Sequence, residues 1–444
     1  MGGRGNGDRV AVLSNYATSK DGVSWELPNL GIGFGSYGTD NNITGNYHNQ
    51  SVFLEYDDAG NPQYTMITYL GGTGYQYMHS TDGIHWTQGD TAIGGSGTYD
   101  VVSAAPDKTN DRYISVAKIY GLGDSHRTQY TLYGKGNKWS GRYMSNSIAD
   151  LIDAQTCYRP ESYGMGLYER DGVYIGFDWL YRTPGPGGNR NWSVGTIEPQ
   201  LAFSRDLTEE WQRPTTQALV PLGADGAIDD GIIDTANYAI EVGDEVWLYC
   251  GVWDGNHGIS NRDCNTYIAK WRLDGFVSMN GSGILTTKQL DFEGDALYIN
   301  SKGNVTVELL DANGNSILGE SDVISADSVK NLVTWNGVSD LSSINKPVKV
   351  KINAVNAEIY SFEFGKGPGV RFEWNGNDCT VTLDSLEEGA TIKAAAYTEE
   401  RLVETVTFDS EKMSAVLSGD TVKVFFWKEN LMPVRNAVES KKPE

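Results

Sequence analysis

Ser80-Thr81-Asp82-Gly83-Ile84-His85-Trp86 ends a strand-like run with a tight polar turn and an aromatic side chain, and the chain repeats the phrase. Ser19-Lys20-Asp21-Gly22-Val23-Ser24-Trp25, Ser204-Arg205-Asp206-Leu207-Thr208-Glu209-Glu210-Trp211 and Arg272-Leu273-Asp274-Gly275-Phe276 are further copies, and Gly134-Lys135-Gly136-Asn137-Lys138-Trp139 is a degenerate one. The anchors Trp25, Trp86, Trp139, Trp211 and Phe276 fall 61, 53, 72 and 65 residues apart. Self-similarity at a near-fixed spacing marks a repeat architecture, and a β-rich unit with one turn per repeat reads as a propeller blade. Gly supplies positive φ at no steric cost and Asp bonds the backbone just ahead of it, so the turn has a local cause. The Trp is expected to pack between neighbouring blades.

Each segment between anchors reads as three strands feeding the marked turn. They span residues 48–56, 63–70 and 74–80; then 100–105, 112–120 and 127–133; then 161–169, 172–181 and 198–204; then 234–241, 245–253 and 266–273. Alternation such as Val246-Trp247-Leu248-Tyr249 and turns such as Arg170-Asp171-Gly172 support these strands. Residues 10–18 run straight into the first Asp-Gly turn, so the chain opens in the outer half of a blade. That blade's inner strands are expected to be absent or supplied by another part of the chain. Beyond Ser278 the pattern becomes long alternating strands, as in Val305-Thr306-Val307-Glu308-Leu309. The fold expected is all-β: a five-bladed β-propeller with an incomplete first blade over 1–280, a β-sandwich over 281–365, and a small Ig-like β-domain over 366–444. One short helical stretch is expected near 147–154.

Composition narrows the partners. In 444 residues there are 53 Gly, 25 Tyr and 12 Trp, which suits short strands and tight turns. A net charge of −23 argues against nucleic acid or an anionic membrane, both of which need basic patches. No apolar run approaches a membrane span. The first residues, Met1-Gly2-Gly3-Arg4-Gly5-Asn6-Gly7-Asp8, hold no apolar signal core. The expected location is therefore secreted or periplasmic if the native start lies upstream, and cytoplasmic otherwise. The four cysteines have no metal-ligand spacing and read as separate thiols, with Cys250 and Cys264 the one pair a hairpin could bring together. No cofactor or metal is expected.

Aligning the four inner strands by their turns places His48, Asp100, Glu161 and Asp234 at equivalent, channel-proximal positions, with Asp40 in the preceding loop. Glycosidic cleavage needs a proton donor and a second carboxylate flanking the bond. Crowded like charges raise one pKa and keep that acid protonated near neutrality. Glu161, Asp100, Asp234 and Asp40 are the candidate catalytic residues. Glu161 is the sharpest of them, set among Tyr158, Pro160 and Tyr163. His48, Arg127, Asp178, Trp179, Trp253 and His257 are the candidate substrate contacts, with Tyr181 and Trp192 as further aromatic faces. A cation held by Asp229, Asp230 and His257 is conceivable, but their spacing is not diagnostic.

Ser80 to Trp86, Leu201-Ala202-Phe203-Ser204-Arg205-Asp206 with Trp211-Gln212-Arg213-Pro214, and Arg272 to Ser278 resemble bacterial proteins similar to glycoside hydrolase families 32 and 43. The resemblance covers about residues 10–365 and implies a five-bladed propeller acting on furanosides such as fructans and arabinose-containing polysaccharides. It implies two Asp and one Glu from successive inner strands, with Asp100 as the transition-state stabiliser and Glu161 as the general acid. The family's nucleophile or base belongs to the first blade's inner strand. Here it is missing, or Asp40 or Asp234 takes its place. Sialidases also repeat an Asp turn before Trp, but separate Asp from Gly, which are adjacent here. The expected function is a glycosidase on an oligo- or polysaccharide. The alternative is a carbohydrate-binding protein with a degenerate site.

Overall fold

The computed structural model describes residues 13–442, apart from 57–58, 71–73, 94–99, 121–126, 137, 144–158, 184–193, 260–261, 345, 368, 384–385, 387–389 and 429–432. The expected helix at 147–154 and Trp192 lie outside the described residues. The chain is all-β and forms two compact units, Met1–Lys270 and Trp271–Glu444. The first unit is the propeller.

At the N-terminal side, β1 (Ser14–Asn15) pairs with β4 (Ile43–Gly45), and β2 (Thr18–Ser19) pairs with β3 (Trp25–Glu26). The first full blade is a four-stranded antiparallel meander of β5 (His48–Tyr56), β6 (Pro62–Leu70), β7 (Gly74–Ser80) and β8 (Thr87–Ile93). The second is β9 (Val102–Asp107), β10 (Arg112–Tyr120), β11 (Arg127–Lys135) and β12 (Lys138–Tyr143). The third contains β13 (Arg159–Arg170), β14 (Val173–Thr183) and β15 (Thr196–Ser204), edged by bridges from Gln212 and Ala218. The fourth contains β16 (Ile232–Thr235), β17 (Ile240–Val242), β18 (Glu245–Trp253) and β19 (Cys264–Arg272).

Two differences from the sequence reading have physical causes. Outer strands β8 and β12 follow the turn in the first two blades, and their sequences, Thr87-Gln88-Gly89-Asp90-Thr91-Ala92-Ile93 and Lys138-Trp139-Ser140-Gly141-Arg142-Tyr143, carry too little alternation to announce them. The single strand expected over 234–241 is split into β16 and β17. Its middle leaves β18 to bond the third blade, Leu167 N–H donating to Asn237 O at 3.0 Å and Ala239 N–H to Leu167 O at 3.0 Å. Gly166 makes that approach possible, since a Cβ there would sit 2.3 Å from Thr235 Oγ1.

The inner strands are knotted at the axis. Ser51 Oγ on β5 accepts Ala104 N–H of β9 at 2.8 Å and the Asn237 amide at 2.9 Å. Tyr238 OH donates to Val52 O at 2.6 Å, so the fourth blade closes back onto the first. Apolar wedges fill the gaps between blades: Phe53, Tyr77, Tyr113 and Leu132 between the first and second, and Val116, Met165, Leu167 and Trp211 between the second and third. Each such side chain contributes ~1.5–3 kcal/mol by leaving water. The β1–β4 pairs occupy the remaining place, tied to the first blade by Ser14 Oγ to Tyr47 O at 3.0 Å and to the fourth by Tyr249 OH to Gly22 O at 2.7 Å. Among the described residues this fifth blade has no four-stranded sheet.

The turn phrase owes its repetition to one hydrogen-bond pattern. Asp82 Oδ1 accepts the N–H groups of Ile84 and His85, both at 2.8 Å, while Ser80 Oγ accepts Gly83 N–H at 2.9 Å. Asp21 and Ser19 repeat it on Val23, Ser24 and Gly22. Gly22 and Gly83 have φ of 73° and 74°, the left-handed region that favours glycine. The Trp expectation needs correcting. Trp211, 6% exposed with its indole N–H 3.3 Å from Thr131 Oγ1 of β11, is buried between blades, and Trp139 packs half-buried against the core between the first and second. Trp25 is 51% exposed, and it and Trp139 turn their N–H back to Gly22 O and Gly136 O of their own turns.

In the second unit, Met279–Thr286, Ala296–Leu310, Ser316–Glu320, Ser328–Leu332 and Lys349–Gly365 form one five-stranded antiparallel sheet. Bulges between Asn300 and Asn304 interrupt its longest strands, and Leu297 before them shares a core with Val307 after them. Farther on, a three-stranded and a four-stranded sheet enclose a second core around Val381, Ile392, Leu417 and Phe426, a β-sandwich arrangement. Cys250, Cys264 and Cys379 are free thiols.

Candidate active site

The inner strands deliver their expected residues to one end of the propeller. His48 is the first residue of β5, Asp100 lies just ahead of β9, and Glu161 and Asp234 each stand third in β13 and β16. β-bulges set two of the side chains that matter: the register slips between His48 and Ser51, where Asn49 has φ 51°, and again between Ser162 and Met165, around Tyr163. A bulge re-aims a side chain that regular pleating would send elsewhere.

Tyr163 is the hub of the cluster, and the sequence reading gave it no role. Its hydroxyl lies 3.1 Å from His257 Nε2, and its ring centre is 4.2 Å below Lys118 Nζ and 5.2 Å from the Arg127 guanidinium. Burial, followed by the charges of Asp100 and Asp234, pushes its phenol pKa up. Lys118, on β10, was also missed. It is 2% exposed, and its ammonium donates to Asp100 Oδ1 at 2.6 Å. The signal available was a lysine in the otherwise apolar run Tyr113-Ile114-Ser115-Val116-Ala117-Lys118-Ile119, where a charge needs a partner.

The carboxylates differ in environment. Asp100 keeps 52% of its side chain exposed. Burial opposes its charge, but Lys118, through charge and hydrogen bond, with His48 adding, holds its carboxyl below the usual range. Asp234 retains partial exposure as a residue, yet its Oδ1 is buried with no hydrogen-bond partner among the described residues. Burial raises its pKa to about 7, against the opposing charges of Arg262 and Lys118. Glu161 is 1% exposed and its carboxylate is closed off by an ion pair with Arg127, itself 8% exposed. Glu161 is thus buried and paired with Arg127, whose guanidinium lies 5.2 Å from the ring centres of both Tyr163 and Tyr181.

The remaining candidates divide. His48 joins the cluster through its effect on Asp100, and its Nδ1 is buried without a partner among the described residues. His257 packs at a steep angle against both Tyr163 and Tyr181, at ring-centre distances of 5.0 and 5.3 Å. Trp253 is half-buried against Val101, Trp179 and Ile232. Trp179 offers no face to a sugar: it is 3% exposed and its indole N–H donates to Thr235 Oγ1 at 2.8 Å. Asp178 is fully buried, accepting the Ser162 hydroxyl, and braces β13 against β14 instead of meeting substrate. Asp40 is exposed on the loop before β4 and holds the Asn29 amide instead of joining the other carboxylates. Asp230 spends both oxygens on backbone, taking Gly255 N–H at 2.8 Å and Gly226 N–H at 2.7 Å, so it closes a loop. Among the described residues no three His, Cys, Asp or Glu side chains gather as a metal site.

No protein-family model and no curated protein matches the chain. Among solved structures, the GH32 β-fructofuranosidase of Bombyx mori is similar at 11% identity over 72% of this chain and 92% of its own, with a TM-score of 0.32. A glycosyl hydrolase from Bacteroides ovatus is similar at 12% identity over 68% of this chain and 87% of its own, with a TM-score of 0.34. Likenesses this low carry no argument, and the fold stands on its own sheets.

Proposed function

We propose that the chain is a glycoside hydrolase that cleaves a furanosidic, fructose- or arabinose-type, or related glycan at this end of the propeller. The observation that carries the reading is the split between two aspartates about Tyr163: Asp234 pushed up to about 7 by burial, and Asp100 held down with Lys118 opposing its burial. Environments that drive two carboxyl groups apart are what acid and base roles require. Asp234 gives its proton to the departing glycosidic oxygen. Asp100, ionised, either bonds the anomeric carbon or takes a proton from the attacking water, depending on the room between them. Glu161 acts through Arg127, fixing the guanidinium against Tyr163 and Tyr181.

The test is reducing-sugar release from fructans, arabinans, arabinoxylan and aryl furanosides by the parent chain and Asp234→Asn. Release by the parent and loss of ~10²–10⁴ in the variant supports the roles, and equal release by both refutes them. A second reading, glycan binding without turnover, is favoured by the closure of Glu161 behind Arg127. Calorimetric binding to a panel member with no release by the parent would establish it.

A further inference from the structure

Lys118 neither gives nor takes a proton in the cleavage steps above, yet it is buried between Asp100 and the Tyr163 ring. Its side chain is 3% exposed, its Nζ bonds Asp100 Oδ1 at 2.6 Å, and the Tyr163 ring closes beneath it at 4.2 Å. Its backbone N–H donates to Val101 O at 2.9 Å, fixing β10 to the residue next to Asp100. Taking an ammonium out of water costs several kcal/mol, and an apolar side chain of similar length would fill the slot more cheaply. A buried lysine kept at that cost is explained by what its charge does. Among the described residues, the charges of Asp100 ahead of β9, Arg127 on β11 and Asp234 on β16 act on it, the Tyr163 ring of β13 lies against it, and His48 on β5 acts on Asp100.

We propose that Lys118 is a positioning residue: clamped between the Tyr163 ring and Asp100, its ammonium holds Asp100 charged and in one orientation toward the sugar. This rests on the glycosidase reading for its purpose, but the clamp itself is testable without turnover. Arg127 is paired with Glu161 and acts on Lys118 as a like charge. Burial lowers the pKa of Lys118, with Asp100 opposing that fall, as expected of a cation whose charge depends on its partner.

The experiment follows the Asp100 carboxyl by aspartate carbon-13 NMR across pH in the full chain, with the resonance assigned through Asp100→Asn, for the parent, Lys118→Met, Lys118→Gln and Lys118→Arg. Loss of the cation is expected to raise the Asp100 midpoint by ~1–3 units in the Met and Gln variants, while Arg keeps it close to the parent value. Where cleavage is measurable, the acidic limb of kcat/KM moves up by the same amount and Arg restores it. A midpoint that stays put in whichever of the Met or Gln variants remains folded overturns the proposal. A limb that stays put while Asp234→Asn abolishes cleavage also overturns it and leaves the glycosidase reading intact. A midpoint that moves in a chain that cleaves nothing supports the clamp and removes the glycosidase reading alone.

Discussion

Replacing Asp234 by Asn tests the site through stability as well as chemistry. The folded protein holds the Asp234 proton up to about pH 7, whereas the unfolded chain gives it up near 3.8. The native state therefore binds the extra proton across that window, and Asp234 lowers stability progressively as pH rises from 3.8 to about 7, with no further change above. At 1.36 kcal/mol per unit the full difference is about 4 kcal/mol, an upper figure because the residue keeps some contact with solvent. Asn has the same shape and carries no charge to desolvate. Asp234→Asn is thus expected to be nearly neutral at about pH 4 and to stabilise by ~2–4 kcal/mol at about pH 8. Urea unfolding of parent and variant at both pH values reads this directly. A gap that is equal at the two pH values, or a variant less stable in the alkaline buffer, refutes the claim that burial of this carboxyl raises its pKa. The proton-donor role would fall with it.

Three further outcomes are expected. Glu161→Gln removes one partner of a buried ion pair and should destabilise by ~3–5 kcal/mol, part of which Arg127→Met on the same background recovers, as urea midpoints will show. Trp211→Ala should cost ~3–5 kcal/mol while Trp25→Ala costs under ~1 kcal/mol, because one indole is wedged between blades and the other is half in water; equal losses would deny the wedge. Asp82, held below the usual carboxylate range by the His85 ring and then by the backbone amides it accepts, contributes stability that is present above pH 3.8 and lost as pH falls further. Asp82→Ala should therefore cost about 1 kcal/mol at neutral pH and nothing in acid, and a loss independent of pH would contradict it.

The blade repeat was legible because its cause is local. Ser80, Asp82 and Gly83 make their turn with atoms two and three residues away, so the pattern survives in the sequence wherever the turn is needed. The strand expected at 48–56 coincides with β5, and that at 245–253 with β18, because long alternating runs fix their own register. Strands β8 and β12 were not legible, since an outer strand with one wet face needs only a neighbour to pair with. The incomplete first blade was expected from the order of turn and strand, and the described residues show only short pairs there.

Which residue would stand at the start of each inner strand was decided by sequence, and His48, Asp100, Glu161 and Asp234 are where the repeat put them. What each can do was decided only in three dimensions. Arg127 lies 34 residues from Glu161 and closes it off; Lys118 lies 18 residues from Asp100 and keeps it charged; among the described residues no polar partner reaches the buried oxygen of Asp234. Trp179 and Asp178 look like substrate contacts on paper and are buried structure in space. A position along a strand follows from local periodicity. Protonation and access follow from burial and from charges that other blades bring, and no short stretch of sequence contains those neighbours.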